Sequence, residues 1–358
     1  MILRHTTIAP LLAAALLLAA CGGDGDTTAG SGEPEERAPS AEEAPQEEPT
    51  EEPEPEPDPA AAAAEVEANE LGQIPVLMYH RLMPDGGGDY DNTPEEFEAE
   101  LRRLHEEGYV PITTAEMVSG RIDVPAGTTP VVLTFDDSTR EQFALTEDGE
   151  VDPETSVGIM LALEEELDGF RATGSFYVLG SLFGVSAEQG AELLAALDDL
   201  GFEIGNHTAA HENLGQLDAA GVQRALAAGV ANIQAAIPDA EVRTLSYPFG
   251  VRPEDPQLVA SGSADGVEYT HEAGLLVGSG PSPSPYDAAF DPLAIPRIRS
   301  QPQPVDGDPD FGSNYWLEVL ADAPERRYIS DGDPDTIAFP AELEPELATD
   351  HADRAVTY

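Results

Sequence analysis

Val131-Val132-Leu133-Thr134-Phe135-Asp136-Asp137 is an apolar, β-type run that ends in two adjacent carboxylates. Such a run reads as a buried strand, so the carboxylates sit where that strand ends. Working outward, strand and helix signals alternate on both sides. Upstream, residues 74–80 read as a first strand. A helix then opens with Thr93 as its cap, Pro94 in its first turn and Glu96 completing a capping box. Phe97, Leu101 and Leu104 form its apolar stripe, and Gly108 stops it. Downstream comes a polar insertion over 138–153, then helices near 154–167, 187–200 and 217–237. Strand signals lie between them at 174–179, 202–205 and 243–246, with shorter ones at 275–277 and 294–295. This alternation predicts a parallel α/β fold, either barrel or open sheet. Past Ser300 the pattern fades into a Pro- and Asp-rich loop, one short element over 312–320 and an acidic, peripheral end.

A second string, His207-Thr208-Ala209-Ala210-His211, follows the strand signal at Phe202 to Gly205. Its spacing predicts two imidazoles on one face of a helical turn. One carboxylate and two imidazoles make a three-ligand metal site with room for water, and the other carboxylate is left free as a base. That is the equipment of a metal-dependent hydrolase.

Thr134-Phe135-Asp136-Asp137 and His207 to His211, with Ser246-Tyr247-Pro248-Phe249-Gly250 as a third segment, resemble the polysaccharide deacetylases. This is the NodB-homology group, or carbohydrate esterase family four, and the resemblance runs from residue 71 to about 300. It implies a distorted, incomplete (β/α) barrel with mostly parallel strands and a site at their carboxyl ends. It also implies removal of N-acetyl groups from an N-acetylglucosamine polymer, either an exported polysaccharide or peptidoglycan. Asp137, His207 and His211 would be the ligands of a divalent metal, Zn²⁺ by preference, with Co²⁺, Ni²⁺ or Fe²⁺ also fitting. Asp136 would be the general base and the Phe249 N–H the oxyanion donor. Asp136 and Asp137 are adjacent, so the strand must bend for both to reach one site.

The chain departs from the family pattern in two places. It lacks the Leu-x-His motif that commonly supplies the general acid near the C-terminus. Met78-Tyr79-His80 instead resembles the circularly permuted branch, which includes deacetylases of biofilm poly-N-acetylglucosamine, and this assigns the acid to His80. Ser246 stands where an arginine that orients the base is common, with Arg297 or Arg299 as replacements from another strand. Tyr79, Tyr247, Pro248 and Trp316 are candidates for lining a sugar groove, with Pro281 to Tyr286 as its rim. Two alternatives stay open: a glycan-binding surface lipoprotein with an impaired site, and a metal-dependent esterase or amidase on another substrate.

Residues 1–21 read as a lipoprotein signal, with an apolar stretch from Ile8 to Ala20 and a lipobox, Leu18-Ala19-Ala20-Cys21. Cys21 is the only cysteine, so it cannot form an intramolecular disulfide, and its position before Gly22-Gly23 suggests lipidation after cleavage. Residues 22–70 hold 17 acidic residues and one arginine among Pro and Ala, the composition of a disordered tether. The catalytic domain is expected over 71–345 and a peripheral tail over 346–358. The placement that follows is extracytoplasmic, lipid-anchored to the membrane's outer face. All 16 basic residues are arginine against 70 acidic ones, a net charge of −54. That field repels nucleic acid and anionic headgroups and suits a saline medium.

Overall fold

The computed structural model describes residues 58–278, 280–301 and 311–358. The signal with Cys21 and the tether as far as residue 57 lie outside the described residues.

Eight strands make the central sheet: β1 (Val76–Tyr79), β2 (Tyr109–Ile112), β3 (Thr129–Asp136), β4 (Ser175–Val178), β5 (Glu203–Asn206), β6 (Thr244–Ser246), β7 (Ala273–Leu275) and β8 (Ile298–Arg299). Their spatial order is β7-β6-β5-β4-β3-β1-β8, and every neighbouring pair is parallel. The longest strand, β3, serves three partners. Val132 pairs with both Val76 and Ile112, and Thr134 with both Met78 and Ser175. β1 therefore takes one edge of β3, while β2 and β4 share the other in succession. The quoted run is buried along its whole length because it is paired on both edges and covered on both faces.

Alternation along the strands separates two cores. Val131, Leu133 and Phe135 pack with Leu77, Tyr79, Phe176 and Val178 against the outer helices. Val132 joins Val76, Ile112, Tyr177, Leu275 and Ile295 in the interior. By the same period Thr134 and Asp136 point inward, and Asp136 stands last, at the mouth. The outer layer includes α2 (Pro94–Glu106), with the expected capping box, then α4 (Ser156–Glu166), α5 (Ala187–Asp199) and α6 (Ala219–Ala236). Two shorter helices, α1 (Pro59–Glu65) and α3 (Thr114–Val118), precede β1 and follow β2.

One irregular segment joins the outer edges. Its Ile295 N–H donates to the Gly274 carbonyl beside β7, while β8 pairs with β1. Arg297 lies between these two attachments, which is how an arginine enters the interior. The result is the distorted, incomplete (β/α) barrel with mostly parallel strands.

Three expectations are corrected. Residues 58–70 are part of the fold and not of the tether: Asp58 caps α1, and Asn69 and Glu70 are buried. An average over the acidic stretch conceals a short Ala-rich helix whose Ala63 packs against Ala338. The acidic end is not peripheral either, because Ala355–Thr357 pairs with Ile337–Phe339, where Phe339 is fully buried. Pro281 to Tyr286 is no rim: Ser282 and Ser284 are fully buried, and Ser282 bridges Ile74. The insertion at 138–153 is pinned by a Leu145–Val151 bridge and a buried Phe143. Strand β2, helix α3 and the antiparallel pair Ser261–Ala264 and Val267–Thr270 were not foreseen.

Candidate active site

The bend required of the Asp pair is present. β3 ends at Asp136, and the next two residues are left-handed, Asp137 at φ 77° and Ser138 at φ 47°. Two such residues in succession are costly for L-amino acids and persist only where surroundings hold them. Here the Ser138 hydroxyl accepts the Leu179 N–H at 3.2 Å, and its carbonyl accepts the Phe183 N–H at 2.8 Å. Gln142, a buried residue of the insertion, donates to the Asp136 carbonyl and to the His80 carbonyl, the latter at 2.6 Å. It ties the ends of β1 and β3 together, and no sequence signal singled it out.

The His207–His211 segment is not helical. Thr208 and His211 take φ of 62° and 55° in an irregular loop after β5. Local hydrogen bonds win over helix formation: Asn206 Oδ1 accepts the Thr208 N–H at 2.8 Å, and the Thr208 hydroxyl accepts the Glu212 N–H at 3.1 Å. The loop still brings the rings together, with centroids 4.9 Å apart. Asp137 Oδ1 lies 3.5 Å from His207 Nε2 and 3.7 Å from His211 Nε2. Tetrahedral bonds of about 2.0–2.1 Å set ligand atoms roughly 3.3–3.4 Å apart, so these three fit a divalent ion with little movement. His207 Nδ1 is 2.8 Å from the Ser246 carbonyl, which can only accept, so Nε2 presents its lone pair to Asp137's side.

Asp136 is fully buried beside this cluster and is gripped by Arg297. The guanidinium makes two parallel bonds, Nη1 to Oδ1 at 2.8 Å and Nη2 to Oδ2 at 2.7 Å. Its remaining donors reach Ser246 Oγ at 3.0 Å, Thr134 Oγ1 at 3.1 Å and the Leu276 carbonyl at 2.8 Å. Ser246 Oγ itself donates to Asp136 Oδ2 at 3.0 Å. Serine at that position leaves the space the Arg297 fork occupies. Burial pushes the Asp136 carboxyl up, but Arg297, then His207, outweigh it and hold the group well below the usual carboxylate range. The Asp137 carboxyl is held down too, by His207 against the effect of burial.

His80 follows β1 directly. Burial lowers its pKa, with Asp136 and Asp137 pulling the other way, and its Nδ1 is a buried atom with no partner among the described residues. Phe249 is left-handed at φ 60° within the Pro248–Gly250 turn, so its N–H is set apart from the strand ladder. Its side chain is 59% exposed and meets the His211 ring at 4.4 Å. Tyr79 and Tyr247 do not line a groove. Both are buried, their hydroxyls bonded to Glu100 at 2.7 Å and to the Leu293 carbonyl at 2.8 Å, and Pro248 is buried with them. Trp316 is only partly buried but packs against the outer core. The aromatic faces at the mouth belong to Phe249 and to Tyr90, 43% exposed and 5.0 Å from the His80 ring. Tyr90 lies in a Gly-rich stretch that carries no periodic signal, so sequence reading passed over it. Arg299 stands apart from Asp136, beside Tyr90 and Gln301.

Residues 123–264 match the family model described as polysaccharide deacetylase. The matched stretch contains Asp136, Asp137, His207, His211 and Phe249, while His80 and Arg297 lie outside it. The Streptococcus pyogenes deacetylase PplD, solved in complex with acetate, is 18% identical with a TM-score of 0.50, over 69% of this chain and 98% of that one. The presumed polysaccharide deacetylase BA0330 from Bacillus anthracis is 18% identical with a TM-score of 0.50, over 69% of this chain and 68% of that one. At this identity the structural likeness speaks for the fold. No curated protein matches the chain in sequence. The match over 123–264, carried on this barrel with both carboxylates and both histidines at its mouth, identifies a polysaccharide deacetylase domain in the chain.

Proposed function

We propose that the chain removes N-acetyl groups from an N-acetylglucosamine-containing polysaccharide, with a divalent cation held by Asp137, His207 and His211. The observation that carries this reading is the Arg297–Asp136 ion pair standing beside those three residues. A cation bound there, Zn²⁺ by preference for two imidazoles and a carboxylate, supplies an acidified water and a polarised acyl carbonyl.

The chain's own groups do the rest. Asp136, whose ionised form Arg297 favours, accepts the proton of the attacking water. The Arg297 fork and the Ser246 hydroxyl fix the plane of its carboxylate. The Phe249 N–H is the backbone donor for the developing oxyanion. His80 delivers a proton to the nitrogen that leaves as an amine. The missing third-segment arginine suggested an impaired, purely glycan-binding site; the two bonds from Arg297 to Asp136 favour a working base over that alternative.

The lipobox at Leu18 to Cys21 and the acidic tether support a lipid-anchored protein outside the cytoplasmic membrane, within reach of peptidoglycan or an exported polymer. The test is acetate release by the full chain from N-acetylglucosamine oligomers, peptidoglycan and an O-acetyl ester side by side. Faster turnover of the N-acetyl polymers is expected. Turnover of the ester alone would move the assignment to an esterase.

A further inference from the structure

The reaction leaves one buried histidine without a role. His271, just before β7, is 3% exposed, and the Tyr269 ring stacks on it at 5.4 Å. Its Nδ1 lies 2.9 Å from the Val259 carbonyl and its Nε2 3.2 Å from Asn206 Nδ2. A carbonyl can only accept, so Nδ1 carries the proton and Nε2 offers its lone pair to the Asn206 amide. Burial pushes the imidazole down to about 4, so this neutral form persists through the physiological range.

Asn206 is fully buried at the end of β5, one residue before His207. Its Nδ2 also donates to the Leu226 carbonyl at 3.1 Å, while its Oδ1 takes the Thr208 N–H at 2.8 Å. An amide can sit either way round, and here only one way works. Reversed, Nδ2 would face the Thr208 N–H, and Oδ1 would face two acceptors. His271 and Leu226 therefore choose the orientation, and the orientation holds Thr208. That residue, between the two histidines of the metal cluster, sits at φ 62°, a conformation β-branched side chains avoid. α6 leaves the amide no other place: a Cβ on Gly229 would lie 2.0 Å from Asn206 Oδ1.

We infer that His271 is a positioning residue for the metal site, acting through Asn206 and Thr208 to hold His207 and His211 in register. The inference rests on Asp137, His207 and His211 binding a divalent cation. It concerns a residue outside the three family segments and in contact with neither histidine ligand.

The test is Zn²⁺ affinity, read by competition with a chromophoric chelator, for the wild type, His271→Leu, His271→Gln and Tyr269→Phe. Partners of metal-ligand orientation commonly change affinity by about 10–100-fold, and His271→Leu should weaken Zn²⁺ binding by about tenfold. His271→Gln, whose carboxamide offers an acceptor and a donor, should recover most of the loss. Tyr269→Phe forfeits a hydroxyl bond to the Leu258 carbonyl but keeps the ring. It should lower the melting temperature and leave Zn²⁺ affinity unchanged. A folded His271→Leu protein that binds Zn²⁺ as the wild type does would overturn the inference. Should that variant not fold, ¹⁵N spectra of the wild-type imidazole decide: the Nδ1–H tautomer is required, and Nε2–H contradicts it. A wild type that binds no Zn²⁺ removes the underlying site and this inference with it.

Discussion

Asp136 and Asp137 are neighbours in sequence but are placed for different work, because the backbone turns between them. Asp136 ends a strand and points into the barrel; Asp137, left-handed, faces the histidines. Asp136→Asn keeps the shape and removes the basic oxygen, so kcat should fall by about 10²–10⁴-fold. Zn²⁺ binding, measured by calorimetry, should survive; loss of both together would make Asp136 a ligand and not the base. Arg297→Leu strips a buried carboxylate of its partner, which should cost about 3–5 kcal/mol in urea unfolding at neutral pH. The sign of the pH effect follows from the depressed carboxyl. The pair stabilises the fold above the ordinary carboxylate range and is lost only as pH falls through the lower folded value. In Arg297→Leu burial is left to dominate, so the acid limb of the rate profile should move to higher pH. An unmoved limb would show that Arg297 does not tune Asp136. The Asp pair and the two histidines were legible because their spacing is local. Arg297 could be named only as one of two candidates, since the contact that selects it spans 161 positions.

At the scale of elements, alternating patterns identified most strands of the sheet because each is a short apolar run between amphipathic helices. What failed was conformation that local polar groups decide. Four-residue spacing suggested a helical turn at His207, yet Asn206 and Thr208 bind the backbone and leave a loop. Gly229→Ala tests that packing, since the added Cβ meets Asn206 Oδ1 at 2.0 Å and the Thr208 Cα at 3.1 Å. Overpacking of this kind costs about 1–3 kcal/mol, and Zn²⁺ affinity should fall with it; a variant equal to wild type in both would show that the loop yields. The unforeseen N-terminal segment carries a different signature. Burial, and then the charge of Asp331, push the Glu70 carboxyl up to about 8. Its folded value lies above its unfolded one, so stability falls as pH rises from the ordinary carboxylate range to about 8. Glu70→Gln should flatten that decline in melting temperature and stabilise the protein at pH values above it. An unchanged slope would place the decline elsewhere.

Over the whole molecule, a net charge of −54 with no lysine means self-repulsion in every compact state. Melting temperature should therefore climb as NaCl rises from about 0.1 to 1 M, where the screening length drops from about 10 Å to about 3 Å. A flat or falling curve would show that the acidic surface carries no such strain. Composition made that charge legible. It could not show that residues 58–70 and 346–358 fold against each other, because the contacts are long-range: Val356 and Tyr358 pack beside Ala63 and Ala68, and the Tyr358 hydroxyl donates to the Ala68 carbonyl. This barrel mouth is proposed as a metal-dependent deacetylase centre. Its most direct test is acetate release from an N-acetylglucosamine oligomer by metal-stripped protein titrated with Zn²⁺, beside Asp137→Ala. Release that appears with the metal, saturates at one equivalent and is absent in the variant is the expected result. Release by the stripped protein, or a titration that Asp137→Ala leaves unchanged, would contradict the account.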